Sequence, residues 1–430
     1  MRESWRKDSF ENLIRDGILE IGDGYRAKLD ELGGTGPVFL RAALLDMSPE
    51  RLRTAERFHD HLASRVSMKL SQAGDTIVTT KGNSVGRTGY VPDGLPPFVY
   101  SPHLSYWRSK DPGKLSSGYI RYWAKGLEFA SQLSALAHGT DMAPYLSLAD
   151  QRRLRITLPT ISEQQAIANV LGALDDKIAV NERIVGGVHE LGAAVFRAIF
   201  DDALRFLAEN GSLGVEWRIR SLGEAIAVLE TGTRPRGGVG AYTAGVPSIG
   251  AESIVQLAKF DYAKVKFVPD EFFASMRRGV LESHDILLYK DGGRPGKFEP
   301  HVSMFGNGFP FERACINEHV FRIRMSSPFT QAFGYYWLSS DPLMNEMRLR
   351  GTGVAVPGLN STAVKELPLI QPPTHLLERF DRIALPNVNR ALAAAAESQR
   401  LAVLREMLLP KLMSGEIRVR DAEREVEKAL

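Results

Sequence analysis

The stretch "GDTIVTTKGNSVGR" (Gly74–Arg87) returns 210 residues later as "HDILLYKDGGRPGK" (His284–Lys297), with Asp75 on Asp285, Gly82 on Gly292 and Gly86 on Gly296. Each reads as a short apolar strand opened by an aspartate and closed by a glycine-rich turn. Taken alone, the second resembles a phosphate cradle. The P-loop pattern, however, needs a glycine, four intervening residues and then Gly-Lys-Ser/Thr, because backbone amides wrap the phosphates and the hydroxyl holds magnesium. Here Asp291 stands at the glycine position and Phe298 at the hydroxyl position. A nucleotide loop is excluded, and the repeat becomes the feature to explain.

Outward from that pair the self-similarity continues. "ILEIGDGYR" (Ile18–Arg26) falls on "VLETGTRPR" (Val228–Arg236), with Glu20 on Glu230 and Gly22 on Gly232. At an offset of 213, "PYLSLADQRRLRITLP" (Pro144–Pro159) lies ungapped on "PGLNSTAVKELPLIQP" (Pro357–Pro372), each preceded by a Gly-Thr pair, Gly139-Thr140 and Gly351-Thr352. Ordered matches at a nearly constant offset indicate a duplicated domain. Each copy reads as a mixed α/β globule: the strand and its turn, further short apolar runs, one helix, a glycine-rich linker and a terminal strand ending in proline. The aromatics of "GYIRYWAKGLEFASQL" and "QAFGYYWLSSDPLMNEM" fall at helical spacing and read as core. The expected fold class is mixed α+β, with domains over 1–160 and 211–372 and helices over 161–210 and 373–430.

The helix after the first globule has a different character. Ser162 and Glu163 are its N-terminal signals. Ile167, Leu171, Leu174, Ile178, Asn181, Val185 and Val188 then recur at alternating steps of four and three, the seam of a coiled coil. Such a seam needs a partner, and the alanine-rich segment after the second globule, with Leu401 and Leu408, is the candidate. Asn181 reads either as a buried register-setting residue or as a polar residue at a solvated edge. Pro386 predicts a kink or a late helix start, and Gly186-Gly187 is the corresponding weak point in the first helix.

Composition sets the outer limits. The chain is 430 residues long with 44% hydrophobic and 24% charged residues, enough for two or three domains with their own cores. No apolar run approaches the ~20 residues needed to span a bilayer, and the N-terminus lacks a secretory core, so the expectation is a cytoplasmic protein with no membrane partner. The lone Cys315 rules out an internal disulfide and a thiolate-rich metal site. Net charge is only +3, yet residues 1–160 carry 22 Lys+Arg against 18 Asp+Glu, residues 211–370 carry 18 against 16, and residues 161–210 carry 4 against 8. Two mildly basic blocks flank an acidic helix. Neither Asn/Asp-Pro-Pro-aromatic tetrad nor Walker motif occurs, which argues against base methylation or ATP-driven translocation by this chain. No metal or cofactor is expected.

Two globules, each followed by a long helix, resemble the specificity subunit of type I restriction-modification systems. The motifs that carry the resemblance are "LPTISEQQAIANVLGALDDKIAVNERI" (Leu158–Ile184), "AVFRAIF" (Ala194–Phe200) and "LLPKLMSGEI" (Leu408–Ile417). The second globule carries it more plainly than the first. The resemblance implies two target-recognition domains, each reading one half of a split site in double-stranded DNA. It also implies an antiparallel coiled coil that spaces them and docks methyltransferase subunits, with restriction/translocase subunits joining that core. The chain itself would be non-catalytic. Candidate DNA contacts are Lys81, Asn83 and Arg87 in the first loop, Arg234 and Arg236 in the glycine-rich segment, and Lys290, Arg294 and Lys297 in the second loop. Arginine and lysine suit phosphates and guanines, and asparagine suits adenine. The alternative is a structural adaptor that joins enzyme subunits through the coiled coil and binds no DNA.

Overall fold

The computed structural model describes residues 5–47, 49–137, 144–209, 213–292, 296–351 and 357–429. Arg294, Gly139, Thr140 and Thr352 lie outside the described residues. The chain forms two compact units, Met1–Asp176 with Leu401–Leu430, and Lys177–Arg400.

In the first unit a four-stranded antiparallel sheet has the order Leu19–Asp23, Leu104–Ser109, Thr76–Thr79, Thr88–Tyr90. Beside it Val38–Leu40 and Phe98–Tyr100 pair in parallel, and Arg6–Ser9 pairs antiparallel with Arg155–Leu158. The second unit repeats the plan. Its sheet runs Ile226–Thr231, Val320–Met325, Ile286–Tyr289, Val302–Met304. Val246–Ile249 pairs in parallel with Cys315–Ile316, and Arg218–Ser221 with Pro368–Gln371 antiparallel. The duplication is therefore structural, and the class is mixed α/β as expected.

The aromatic helices are core in both copies. Tyr119, Tyr122 and Trp123 are buried, with Trp107 and Phe129 packed edge-on at 5.2 Å. Tyr335, Tyr336 and Trp337 are buried in the second unit. Cys315 is fully buried, and burial pushes its thiol up to about 11, so it is no nucleophile at neutral pH.

The strand register corrects one alignment. Gly22 stands opposite Tyr106 and Glu230 opposite Arg322, while Tyr106 and Arg322 both pair with the second residue of the central strand, Ile77 and Leu287. Gly22 is thus the backbone counterpart of Glu230, and Gly24 that of Gly232. The shift is two residues. Because side chains alternate faces with period two, a slip of two keeps each glutamate on the same face of its sheet.

That face carries a buried charge cluster in each copy. Arg108 Nε and Nη2 donate to the two oxygens of Asp75 at 2.7 Å, and Tyr100 donates to the same carboxylate at 2.6 Å. In the second copy Arg322 Nε donates to Asp285 at 2.5 Å and Arg324 Nη1 lies 3.0 Å from it, with Glu230 2.7 Å from Arg322. Asp75 and Asp285 are fully buried. A carboxylate there persists only with a cation beside it.

The long helices span Ile161–Glu209 and Thr374–Ser414. The cap of the first is Thr160 rather than Ser162: its Oγ1 accepts from the Glu163 amide at 3.4 Å while its own backbone amide donates to the Glu163 carboxylate at 3.3 Å, a capping box. Within the first unit Ile167, Leu171 and Leu174 are buried, as are Leu401, Leu408 and Leu412. Within the second unit Asn181 pairs with Glu397, while Phe196 and Phe200 pack on Phe380, so the two segments run antiparallel. Val185 and Val188 are buried and Ile178 is half-buried. Asn181 is 1% exposed and donates to Glu397 at 2.7 Å, so it is a buried seam residue rather than one at a solvated edge.

Two expectations about these helices are corrected. Pro386 lies inside an unbroken helix that starts twelve residues earlier, and the Asn387 side chain donates to the Ile383 carbonyl at 2.8 Å in the turn the proline disturbs. The first helix passes through Gly186 and Gly187 unbroken. It departs from helical geometry at Phe200 instead (φ −114°, ψ 23°), where the ring wedges against Phe196, Phe333 and Phe380. A Cβ at Gly186 or Gly187 would meet nothing within 4 Å. Changing either to alanine should therefore stabilise the chain by about 1 kcal/mol, read as a raised urea midpoint at unchanged slope.

Candidate nucleic-acid interface

The glycine-rich turns follow the central strands and are built alike. In the first, Gly82 N donates to Pro144 O and Leu146 N to Thr80 O; in the second, Gly292 N donates to Pro357 O and Leu359 N to Lys290 O. Each turn is thereby tied to the segment after the linker, at the 213-residue offset found in sequence. Gly82, Gly86, Gly292 and Gly296 all have positive φ. So does the residue ahead of each strand's aspartate, Gly74 in one copy and His284 in the other.

The candidate side chains differ in how free they are. Asn83 and Arg87 are exposed. Lys81 is half-buried with its ammonium 5.0 Å above the Tyr145 ring. Arg236 and Lys297 are exposed, Lys297 standing 3.9 Å from Glu299. Lys290 is held 2.6 Å from Asp291, and Arg234 2.8 Å from Glu318. His319 joins those two pairs: Nδ1 bonds Asp291 and Nε2 lies 3.5 Å from Glu318. The second unit thus brings Arg234 and Lys290, from segments 56 residues apart in sequence, into one chain of charges.

Sequence reasoning missed Asp291, Glu318 and His319 as members of this site. In the first unit it also missed His103, whose carbonyl accepts from Thr80 N, and Arg41, which lies 5.2 Å over Phe39 and 2.5 Å from Glu56. A cavity of about 330 Å³ opens there, lined by Ala27, Phe39, Arg41, Ser101, Pro102 and His103. Burial pushes the Asp291 carboxyl up, but Lys290 and His319 outweigh it and hold the group below its ordinary value. It is an anion at neutral pH, so the second site presents both signs of charge.

The seam residues serve the chain itself. Each unit also fixes its helix to its globule by polar contacts. In the first, Gln164 accepts from Ser116 N at 3.0 Å, and Asp175 is ringed by Arg121, Lys125 and Arg405. In the second, His189 meets the Tyr335 hydroxyl at 3.1 Å. Among the described residues no helix is long and apolar enough to cross a membrane.

Residues 61–186 match the family model described as type I restriction modification DNA specificity domain. The match runs from within the first copy into the helix that follows it, in the half where the sequence resemblance is the less plain. The MjaIX specificity subunit of a type I restriction enzyme from Methanocaldococcus jannaschii is 23% identical over 313 residues, covering 71% of this chain and 70% of that protein. The crystal structure of a type I restriction-modification S subunit from M. genitalium shares the fold, at 15% identity and a TM-score of 0.57, with 95% of this chain and 96% of that chain covered. A specificity-domain match over residues 61–186, a second copy of the same design and a relative aligned over 71% of the chain agree: the chain carries a region that matches the type I restriction modification DNA specificity domain and is similar to specificity subunits of those systems along most of its length.

Proposed function

We propose that the chain is the sequence-specific DNA-binding subunit of a type I restriction-modification complex and reads a bipartite target. Domains 1–160 and 211–372 each recognise one half, and helices 161–210 and 373–430 scaffold adenine-methyltransferase and restriction/translocase subunits in the cytoplasm. The chain performs no chemistry of its own. The observation that carries this reading is the duplication itself: one loop-bearing domain built twice suits a target with two separated halves. Exposed Asn83, Arg87, Arg236 and Lys297, together with Lys81, Arg234, Lys290 and Arg294, are the proposed contacts to duplex.

The deciding experiment exchanges residues 211–372 for the matching block of a relative and sequences the methylation motif made by the assembled complex. One half of the motif should change while the other half and the gap stay. A change in both halves would show that the domains read DNA jointly, and absence of any motif would favour the adaptor. Replacing Arg294 and Lys297 together by alanine should lower the salt slope of binding by up to about two phosphate equivalents. An unchanged slope would remove that loop from the interface.

A further inference from the structure

The two copies share one backbone feature that sequence comparison at a fixed offset cannot find. In the first unit the turn Ser101-Pro102-His103 is held by Ser101 N donating to Leu40 O, Leu104 N to Ser101 O and Thr80 N to His103 O. In the second, Asn317-Glu318-His319 is held by Asn317 N to Ile249 O, Val320 N to Asn317 O and Lys290 N to His319 O. The offset here is 216. The hydrogen-bonding frame is the same, while of the three side chains only the histidine is shared.

A glycine packs against each turn. A Cβ on Gly24 would lie 2.0 Å from Ser101 O, and one on Gly232 1.6 Å from Ile316 O. Only glycine allows that approach. Each turn sits at the end of its sheet that carries the glycine-rich loop, because Thr80 and Lys290 are the residues where those loops begin. Near each lies an arginine steered by a glutamate: Arg41 with Glu56 in the first unit, Arg234 with Glu318 in the second. Arg234 and Glu318 keep 36% and 40% of their side-chain surface, so they are both aimed and open.

A fixed backbone with interchangeable side chains, beside an oriented guanidinium, is what reading a base edge requires. Arginine pairs in bidentate fashion with guanine O6 and N7 in the major groove. We propose that this turn is the base-reading element of each recognition domain. Asn317-Glu318-His319 with Arg234 serves the second half-site and Ser101-Pro102-His103 with Arg41 the first, each arginine addressing the guanine of a G·C pair. The inference rests on the DNA-reading function proposed above.

The test uses the intact complex and a panel of duplexes in which each G·C pair of its target is changed in turn to A·T. The double variant Arg234→Ala/Glu318→Ala should lose about tenfold or more of its discrimination at one second-half position and none in the first half. Arg41→Ala should do the converse. Both changes leave the backbone bonds of the turns in place, and unaltered thermal unfolding checks the fold. Arg234→Lys keeps the charge but not the planar fork, so it should lose the same discrimination with an unchanged salt slope. Discrimination unaltered at every second-half position, or affinity lowered evenly across the panel, would overturn the proposal. Wild-type complex that fails to discriminate between any duplexes would instead refute the underlying DNA-reading function.

Discussion

Arg108→Ala is expected to destabilise the first unit by about 3–5 kcal/mol, seen as an early unfolding transition in urea. Arg108 is the cation that neutralises Asp75, a fully buried carboxylate; what remains after the change is the Tyr100 hydroxyl and the Gln72 amide, at 2.6 and 2.9 Å. Two neutral donors do not replace a guanidinium in a dry site. The Tyr100 hydroxyl cannot help by ionising, since burial and then Asp75 push its pKa far up and keep it a donor. Domain stabilities are typically ~5–15 kcal/mol, so the loss is a large share of the whole. Because the cost is the stranded charge, Arg108→Met combined with Asp75→Asn should recover more than half of it. Arg322→Ala in the second unit should cost less, because Arg324 stays 3.0 Å from Asp285 and the Glu282 amide donates to it at 2.6 Å. Equal losses in the two units would show that the second arginine gives no protection.

Asp175→Ala should produce a loss of similar size by the opposite route, leaving cations together. The Asp175 side chain is 9% exposed and accepts from Arg121, Arg405 and the Tyr122 hydroxyl, with Lys125 at 3.8 Å. Arg121 comes from the helix Ser117–Trp123 and Arg405 from the second long helix, so one carboxylate ties globule to scaffold within the first unit. Its removal should cost about 3–5 kcal/mol and loosen that tie. Burial pushes the Asp175 carboxyl up, but Lys125, Arg121, Arg405 and Tyr122 outweigh it, and the group ends below its ordinary value. A depressed carboxyl pKa gives stability that is fully present above the unfolded value of ~3.9 and is lost as pH falls through the folded value. The gap between wild type and Asp175→Asn should therefore be constant from pH 7 to about 5 and close only below about 4. A gap that already narrows at pH 6 would mean that the cluster does not hold the carboxylate ionised. Asp285 has the reverse sign: burial raises it despite its arginines, so its contribution falls as pH rises past the unfolded value.

The repeat was legible because its strongest matches mark what each copy needs. Asp75 and Asp285 are the buried acids, and Gly82 and Gly292 the left-handed turn positions. Their arginines were not legible: Arg108 and Arg322 look like any strand arginine, and burial beside a carboxylate is a property of register. The slip of two residues in the first strand was equally hidden, since Glu20 and Glu230 match as letters while the backbone places Gly22 opposite Tyr106. His103 and His319 stand at a third offset, set by loops of unequal length. The break at Phe200 escaped because glycine lowers helix propensity by only ~1 kcal/mol, less than a packed seam supplies, whereas an aromatic wedge from three sides can tilt a turn. Of the proposed DNA contacts, their presence near the sheet ends was readable, but their coupling through Glu318 and His319 was not.

The first unit is assembled from both ends of the sequence, Met1–Asp176 and Leu401–Leu430, while the second is one uninterrupted run. During synthesis the ribosome delivers the second unit whole before it delivers Arg405, Leu408 and Leu412. The N-terminal globule is made first yet completed last, waiting on the order of ten seconds or more for its closing helix. Through that interval Asp175 lacks one of its arginines, an opening for chaperones or for misassembly. A nonsense codon near residue 400 would accordingly injure the globule built from residues before Asp176.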